Sequence, residues 1–259
     1  MTEPPFDIGD DDLGLDDAES IEHSAPRSIL QRSRTGLRWG AMIVAVILIV
    51  IGVSALITNL FESRRSTTQR FGDTVDRLVV ASNNGEISIT AVEGTEIVIE
   101  RDERYVFRRP SREANLEGTT LVLGDGCPSF NVLFLGGCRV DFRVTVPAGV
   151  SIDLDSSNGD LVVEGITGGV VLRTSNGDVD LDRVTGEVDA KTSNGSIIGR
   201  GLESPSIDVD TSNGRISLIF DAPPDRVVAE TSNGNIDIEV PAMPYRIDAD
   251  TSNGDIDLD

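Results

Sequence analysis

Histidine and tryptophan are nearly missing from this 259-residue chain: His23 and Trp39 are the sole examples, and neither lies beyond residue 39. Without histidine past that point, no Ser-His or Cys-His pair can activate a nucleophile there. Without tryptophan, the aromatic-lined groove of a glycosidase is missing, so abundant carboxylates do not by themselves make a sugar-cleaving pair. Two cysteines and one distant histidine cannot fill a tetrahedral zinc site. No Gly-rich phosphate loop of Walker or dinucleotide type occurs. Basic residues are scarce, 22 against 44 acids for a net charge of −22. Nucleic acid is thereby excluded as a partner, because neutralising phosphates takes clustered Lys and Arg. These absences predict a non-enzymatic protein with no catalytic residues, no cofactor and no metal centre.

What is present is unevenly distributed. Residues 1–38 hold nine acids and four arginines among Pro, Ser and Gly, a composition that cannot bury enough surface to fold and predicts a disordered acidic tail. Residues 39–61, WGAMIVAVILIVIGVSALITNLF, carry no charge. As a helix this run would be about 35 Å long, enough to cross a bilayer. Trp39 and the flanking Arg38, Arg64 and Arg65 suit interfacial anchoring. A cleaved signal peptide ending at Val53-Ser54-Ala55 is the other reading of the run, but the long acidic leader favours an uncleaved anchor. Arg27, Arg32, Arg34 and Arg38 bias the N-terminus slightly toward the cytoplasm. The expected organisation is a cytoplasmic tail at 1–38, a single span at 39–61, a linker at 62–70 and an extracytoplasmic domain at 71–259. Placed outside a membrane, Cys127 and Cys138 would close a local disulfide loop; in a cytosolic domain they would be two buried thiols.

A repeat fills most of the outer domain. Asn-Gly pairs begin at Asn158, Asn176, Asn194, Asn213, Asn233 and Asn253, spaced by 18, 18, 19, 20 and 20 residues, with an earlier copy at Asn84. Two residues before each Asn stands Ser or Thr. Apolar residues fall six and four before it (Ile207 and Val209, for example) and three and five after it (Ile216 and Leu218). Within each arm the period is two, which predicts strands with one buried face. Asn and Gly at the corner suit positive φ. The chain could be a meander of tight hairpins or a solenoid in which like residues stack coil on coil. Near-invariant Thr-Ser-Asn-Gly beside variable returns favours the solenoid: an all-β, right-handed parallel β-helix with coils of about 18–20 residues. The stacked Asn side chains would then bond one another along the column. Residues 70–150 alternate less regularly and are expected to form the first coils, with the cysteine loop bulging out.

The acids that alternate with apolar residues, such as Asp178, Asp180 and Asp182, predict a solvated face, and those at Asp255, Asp257 and Asp259 an edge guarded against self-pairing or presented to a partner. Stacked Asp-x-Asp pairs also offer oxygen ligands for weak calcium binding, though neither the Gly-Gly-x-Gly-x-Asp nonapeptide nor an EF-hand order occurs.

The stretch CRVDFRVTVPAGVSIDLDSSNGDLVVEGITGGVVLRTSNGDVDLDRVTGEVDAKTSNGSI, with its Val-Pro-Ala-Gly step at Val146–Gly149 and repeated Ser-Asn-Gly corners, resembles the bacterial putative-adhesin family of β-helical envelope domains. The resemblance implies a β-helix on the outer side of a bacterial membrane and carries over no catalytic residue. The function it implies is a membrane-anchored surface module that binds a protein or a cell-wall ligand. The alternative is a subunit or sensor in an envelope-stress or membrane regulatory complex.

Overall fold

The computed structural model describes residues 39–53, 62–72, 75–106, 108–111, 113–127, 137–242 and 246–259. The chain divides into two compact units, Met1–Ile51 and Gly52–Asp259. Residues 39–53 are helical and their apolar side chains are exposed. At 1.5 Å per residue this helix is about 22 Å long, short of a bilayer's apolar thickness. Among the described residues no helix is long and apolar enough to cross a membrane. The rest of the expected span, 54–61, and the expected tail, 1–38, lie outside the described residues.

The second unit is built from strands. The first seven are β1 (Glu62–Phe71), β2 (Arg77–Asn84), β3 (Ile87–Val92), β4 (Ile97–Val106), β5 (Glu113–Glu117), β6 (Thr120–Gly124) and β7 (Cys138–Pro147). Six regular pairs follow, each a strand, an Asn-Gly corner and a second strand. They are β8 (Ser151–Asn158) with β9 (Leu161–Glu164), β10 (Val170–Asn176) with β11 (Val179–Asp182), and β12 (Val188–Asn194) with β13 (Ile197–Leu202). Then come β14 (Ser206–Asn213) with β15 (Ile216–Phe220), β16 (Arg226–Asn233) with β17 (Ile236–Glu239), and β18 (Arg246–Asn253) with β19 (Ile256–Leu258). The strands before the corners lie in a nine-stranded sheet and those after them in a ten-stranded sheet. Neighbouring coils pair in parallel and in repeat register, Asn176 against Asn194 and Ile197 against Ile216. Parallel pairing settles the question between hairpins and a solenoid: each sheet is stacked from successive coils.

Alternation explains the core. Val170, Val188, Ile207 and Val227 on one sheet face Val179, Ile197, Ile216 and Ile236 on the other, all buried. Each such side chain contributes about 1.5–3 kcal/mol when fully buried. The repeat breaks at Gly199. Gly199 holds an inward position but has no side chain to fill it, and the register shifts between Gly199 and Leu202. Fully buried Leu202 brings its Cδ1 to within 2.6 Å of where a Gly199 Cβ would be.

The opposite end is not a plain continuation of coils. β2 and β3 are flanked on one side by β8 and β9 and on the other by β6 and β7, so Leu78 is opposite both Ile152 and Leu121. β4 then runs antiparallel to β7, and β1 antiparallel to β4 at the sheet's edge. Inward-facing Arg101 and Glu103 of β4 close this end of the core with a buried ion pair, Nε to Oε1 3.4 Å. The Arg101 guanidinium lies 5.5 Å over the Phe142 ring and donates to the carbonyl oxygens of Ser111 and Asp125.

Residues 62–70, expected as a linker, are instead nearly all of β1. All ten residues of Glu62–Phe71 pair with β4. The segment is too polar to show an apolar alternation. Backbone pairing to β4, with Phe71 turned toward the core, makes it a strand.

Candidate interaction surface

The corners show what the repeated residues do. Each corner Asn from Asn158 onward donates from Nδ2 to the Oδ1 of the Asn in the preceding corner of the stack: Asn158 to Asn84, 3.3 Å; Asn176 to Asn158, 3.0 Å; Asn194 to Asn176, 3.0 Å. The ladder continues through Asn213, Asn233 and Asn253 at 3.0–3.1 Å. Thr174, Thr192, Thr211, Thr231 and Thr251 each donate Oγ1 to the carbonyl of a neighbouring corner glycine at 2.9–3.1 Å. In the two copies with serine instead, Ser82 and Ser156, the buried hydroxyl has no partner among the described residues. Threonine's branched Cβ restricts χ1 and favours the bonded rotamer.

The corner asparagines do not have positive φ; Arg183 is the one non-glycine residue that does among the described residues. Nor is positive φ what the corner glycines share. Their common constraint is crowding along the stack: a Cβ on Gly177 would stand 2.1 Å from the Gly159 carbonyl oxygen. The expected reason for Asn-Gly is thus replaced by two others, a side-chain ladder and a close axial approach.

Some of the acids also have structural work. Asp160 Oδ1 accepts the backbone N–H of Asp178 at 2.9 Å, and Asp178 Oδ1 accepts that of Ser196 at 2.7 Å. Asn235 does the same for Asp255. At the capped end Asp125 accepts the N–H of Asn83 and Asp141 that of Glu86. The sign of this role in the sequence is an Asp or Asn two residues after the corner Asn. Cys127, after β6, and Cys138, the first residue of β7, are joined by a disulfide with Cα atoms 5.8 Å apart.

Outside the core, like positions form rows across the sheets. Asp189 is opposite Asp208 on the nine-stranded sheet, and Asp237 opposite Asp257 on the ten-stranded one. Arginines tie adjacent coils: Arg77 to Asp153 at 2.5 Å, Arg173 to Asp189 at 3.3 Å, Arg200 to Asp180 at 3.8 Å. Exposed pairs like these contribute about 0–1 kcal/mol each. With 22 acids against seven bases from residue 150 onward, the faces remain strongly negative. Burial holds the Asp180 carboxyl above its usual range, with Asp178 and Asp160 adding to the effect and Arg200 opposing it. Asp102 is held low, first by a hydrogen bond with Ser66 and then by Arg143.

A shallow depression of about 170 Å³ on the ten-stranded sheet is lined by Ser217, Ile219, Asp237, Glu239, Asp257 and Asp259, among others. Among the described residues no three His, Cys, Asp or Glu side chains converge as a metal site would require. Carboxylates such as Asp189 and Asp208, or Asp237 and Asp257, recur one per coil along the stack.

The family model described as Toastrack DUF4097 matches residues 72–259. Among solved structures, the chain is similar to a candidate adhesin from Bacteroides fragilis NCTC 9343, at 14% identity and a TM-score of 0.46, over 76% of this chain and 98% of that one. It is also similar to a candidate cell adhesion protein from Clostridium sporogenes ATCC 15579, at 11% identity and a TM-score of 0.40, covering 76% and 99% of the two chains. A candidate adhesin from Parabacteroides distasonis ATCC 8503 aligns at 12% identity and a TM-score of 0.38, covering 75% and 97%. No curated protein matches.

Proposed function

The chain belongs to the Toastrack DUF4097 family, and from that premise we propose that it is a non-enzymatic, membrane-anchored interaction module of the adhesin-like kind. In this reading residues 39–61 span the membrane, the N-terminus is cytoplasmic, and a right-handed β-solenoid stands outside. The observation that supports it most is the axial register of the outward side chains. Rows such as Asp153, Val171, Asp189 and Asp208 repeat once per coil in unbroken pairing. Such a face offers the same contacts many times along a line, which suits an extended surface or polymer. Its charge favours a partner bearing cationic groups.

The test is crosslinking in cells from the outer face of the stack, with captured molecules identified by mass spectrometry. Full-length protein is compared with a variant lacking residues 1–38. Wall or external components captured equally by both support the reading. Membrane proteins captured only when the tail is present overturn it in favour of a subunit of a membrane regulatory complex.

A further inference from the structure

On the outer face of the ten-stranded sheet, three arginines from three strands fall in one row. Arg64 of β1 is directly opposite Arg104 of β4, which is directly opposite Arg139 of β7. Adjacent strands lie about 4.8 Å apart, and the three side chains are 73%, 48% and 51% exposed. Like charges placed directly opposite one another on a sheet repel. The protein supplies only part of the neutralisation. Glu62 meets Arg64 at 2.8 Å, while a single carboxylate, Asp141, is shared by Arg139 at 2.8 Å and Arg104 at 3.5 Å. Asp141 also accepts the Glu86 amide. The next acid along the face, Asp102, is engaged by Arg143 at 2.6 Å. Arg65 and Arg108, close by in sequence, form no ion pair among the described residues. A surplus of positive charge therefore collects at one corner of a chain whose net charge is −22.

The corner's place in the chain says what could meet it. Glu62 directly follows the uncharged run 39–61. Three residues separate Arg64 from the end of that run, at most about 10 Å of extended chain. Guanidinium groups match phosphate oxygens with two parallel donors each. Basic side chains immediately beside a membrane anchor are drawn to anionic headgroups.

We propose that Arg64, Arg104 and Arg139 form a headgroup-binding row for an anionic lipid surface, seating the capped end of the solenoid on the membrane that holds it. The row rests on the reading of residues 39–61 as a bilayer anchor. It adds that the β domain is oriented by lipid contact as well as tethered. Occupancy also shields β1, the sheet's free edge, from pairing with other chains.

The experiment uses the full chain in nanodiscs of phosphatidylcholine alone or mixed with phosphatidylglycerol. Arginines are modified with phenylglyoxal and the rate at each position is read by mass spectrometry. Arg64, Arg104 and Arg139 should react about fivefold more slowly in the anionic discs, the occupancy change expected for a basic side chain at such a surface. Arg173 and Arg215, far along the stack, should not change, and high salt should remove the protection. Equal rates in both lipids overturn the proposal. Equal protection by inorganic phosphate in neutral discs also overturns it, by making the row a site for soluble anions. Failure of the chain to enter neutral discs would count against the anchor itself. Protection of the soluble chain by phosphatidylglycerol vesicles would then still support the row, and its absence there would overturn it.

Discussion

A Cβ on Gly195 would stand 1.9 Å from the carbonyl oxygen of Gly177 in the neighbouring coil. No side-chain rotation relieves that contact, because both groups belong to the backbone. Gly195→Ala should therefore destabilise the domain by about 3 kcal/mol or more, at the upper end for overpacking. Gly169, with nothing within 4 Å of its Cβ position, is the control: Gly169→Ala should stay within about 0.5 kcal/mol. Urea midpoints of both variants decide the matter. Equal midpoints would mean the coils can part to admit a methyl group.

Asp178 and Asp210 look alike in the sequence and differ in the fold. Asp178 accepts the Ser196 amide at 2.7 Å, whereas Asp210 has no hydrogen bond or ion pair among the described residues. Asp178→Ala should cost about 1 kcal/mol, the net value of a typical hydrogen bond. Asp210→Ala should be near neutral, and chemical denaturation compares them.

One position away, Val209 is fully buried. Val209→Asp places an unpaired carboxylate in the core and should unfold the domain, or hold it folded only while that group is protonated. Loss of the circular dichroism transition at neutral pH is the expected result. A normal melt would mean that the inward column is misassigned.

The two displaced carboxyls should respond oppositely to pH. Asp102, held below its ordinary range, contributes stability above the usual carboxylate pKa of about 4 that is lost as pH falls through its folded value. Asp102→Asn should lower the Tm at neutral pH and make no difference in acid. Asp180, raised by burial, is penalised as pH climbs through its folded value. Asp180→Asn should raise the Tm at neutral pH, and the gain should vanish in acid. Melts across the acid range read both signs.

The Cys127–Cys138 link closes a loop of ten intervening residues, for which chain entropy predicts about 2–3 kcal/mol. Reductant, or Cys127→Ser with Cys138→Ser, should lower the urea midpoint accordingly. An unchanged midpoint would show that the link adds nothing to the stability of the domain.

What could be read from residues alone follows from what leaves a periodic trace. Ile207, Val209, Ile216 and Leu218 stand at even spacings, so their burial was legible. The Asn ladder was legible because its members recur at one offset. The bulge was not. Gly199 sits in the correct column, and nothing in a repeat count says that Leu202 will swing into its place. β1 was not legible because Glu62–Phe71 has no apolar alternation and owes its form to β4, 26 to 44 residues away in the pairing. Arg101 and Glu103 face inward in phase with Ile97 and Ile99, which a hydrophobic pattern cannot anticipate. The opposition of Arg64, Arg104 and Arg139 depends on strand order, which no local pattern records.

That strand order also governs how the domain can fold in time. β2 and β3 are enclosed between the capped layer and the first regular coil, and Asn84 meets Asn158 across 74 positions. A chain made from its N-terminus holds β2 without its β8 neighbour until that distant strand exists. Seating β2 and β3 between their two neighbours therefore needs a long-range closure, entropically costly and slow. Each later coil, by contrast, pairs with a predecessor about 20 residues away. The cost of closure is thus concentrated at the capped end, while the regular coils can nucleate among themselves and propagate by short steps.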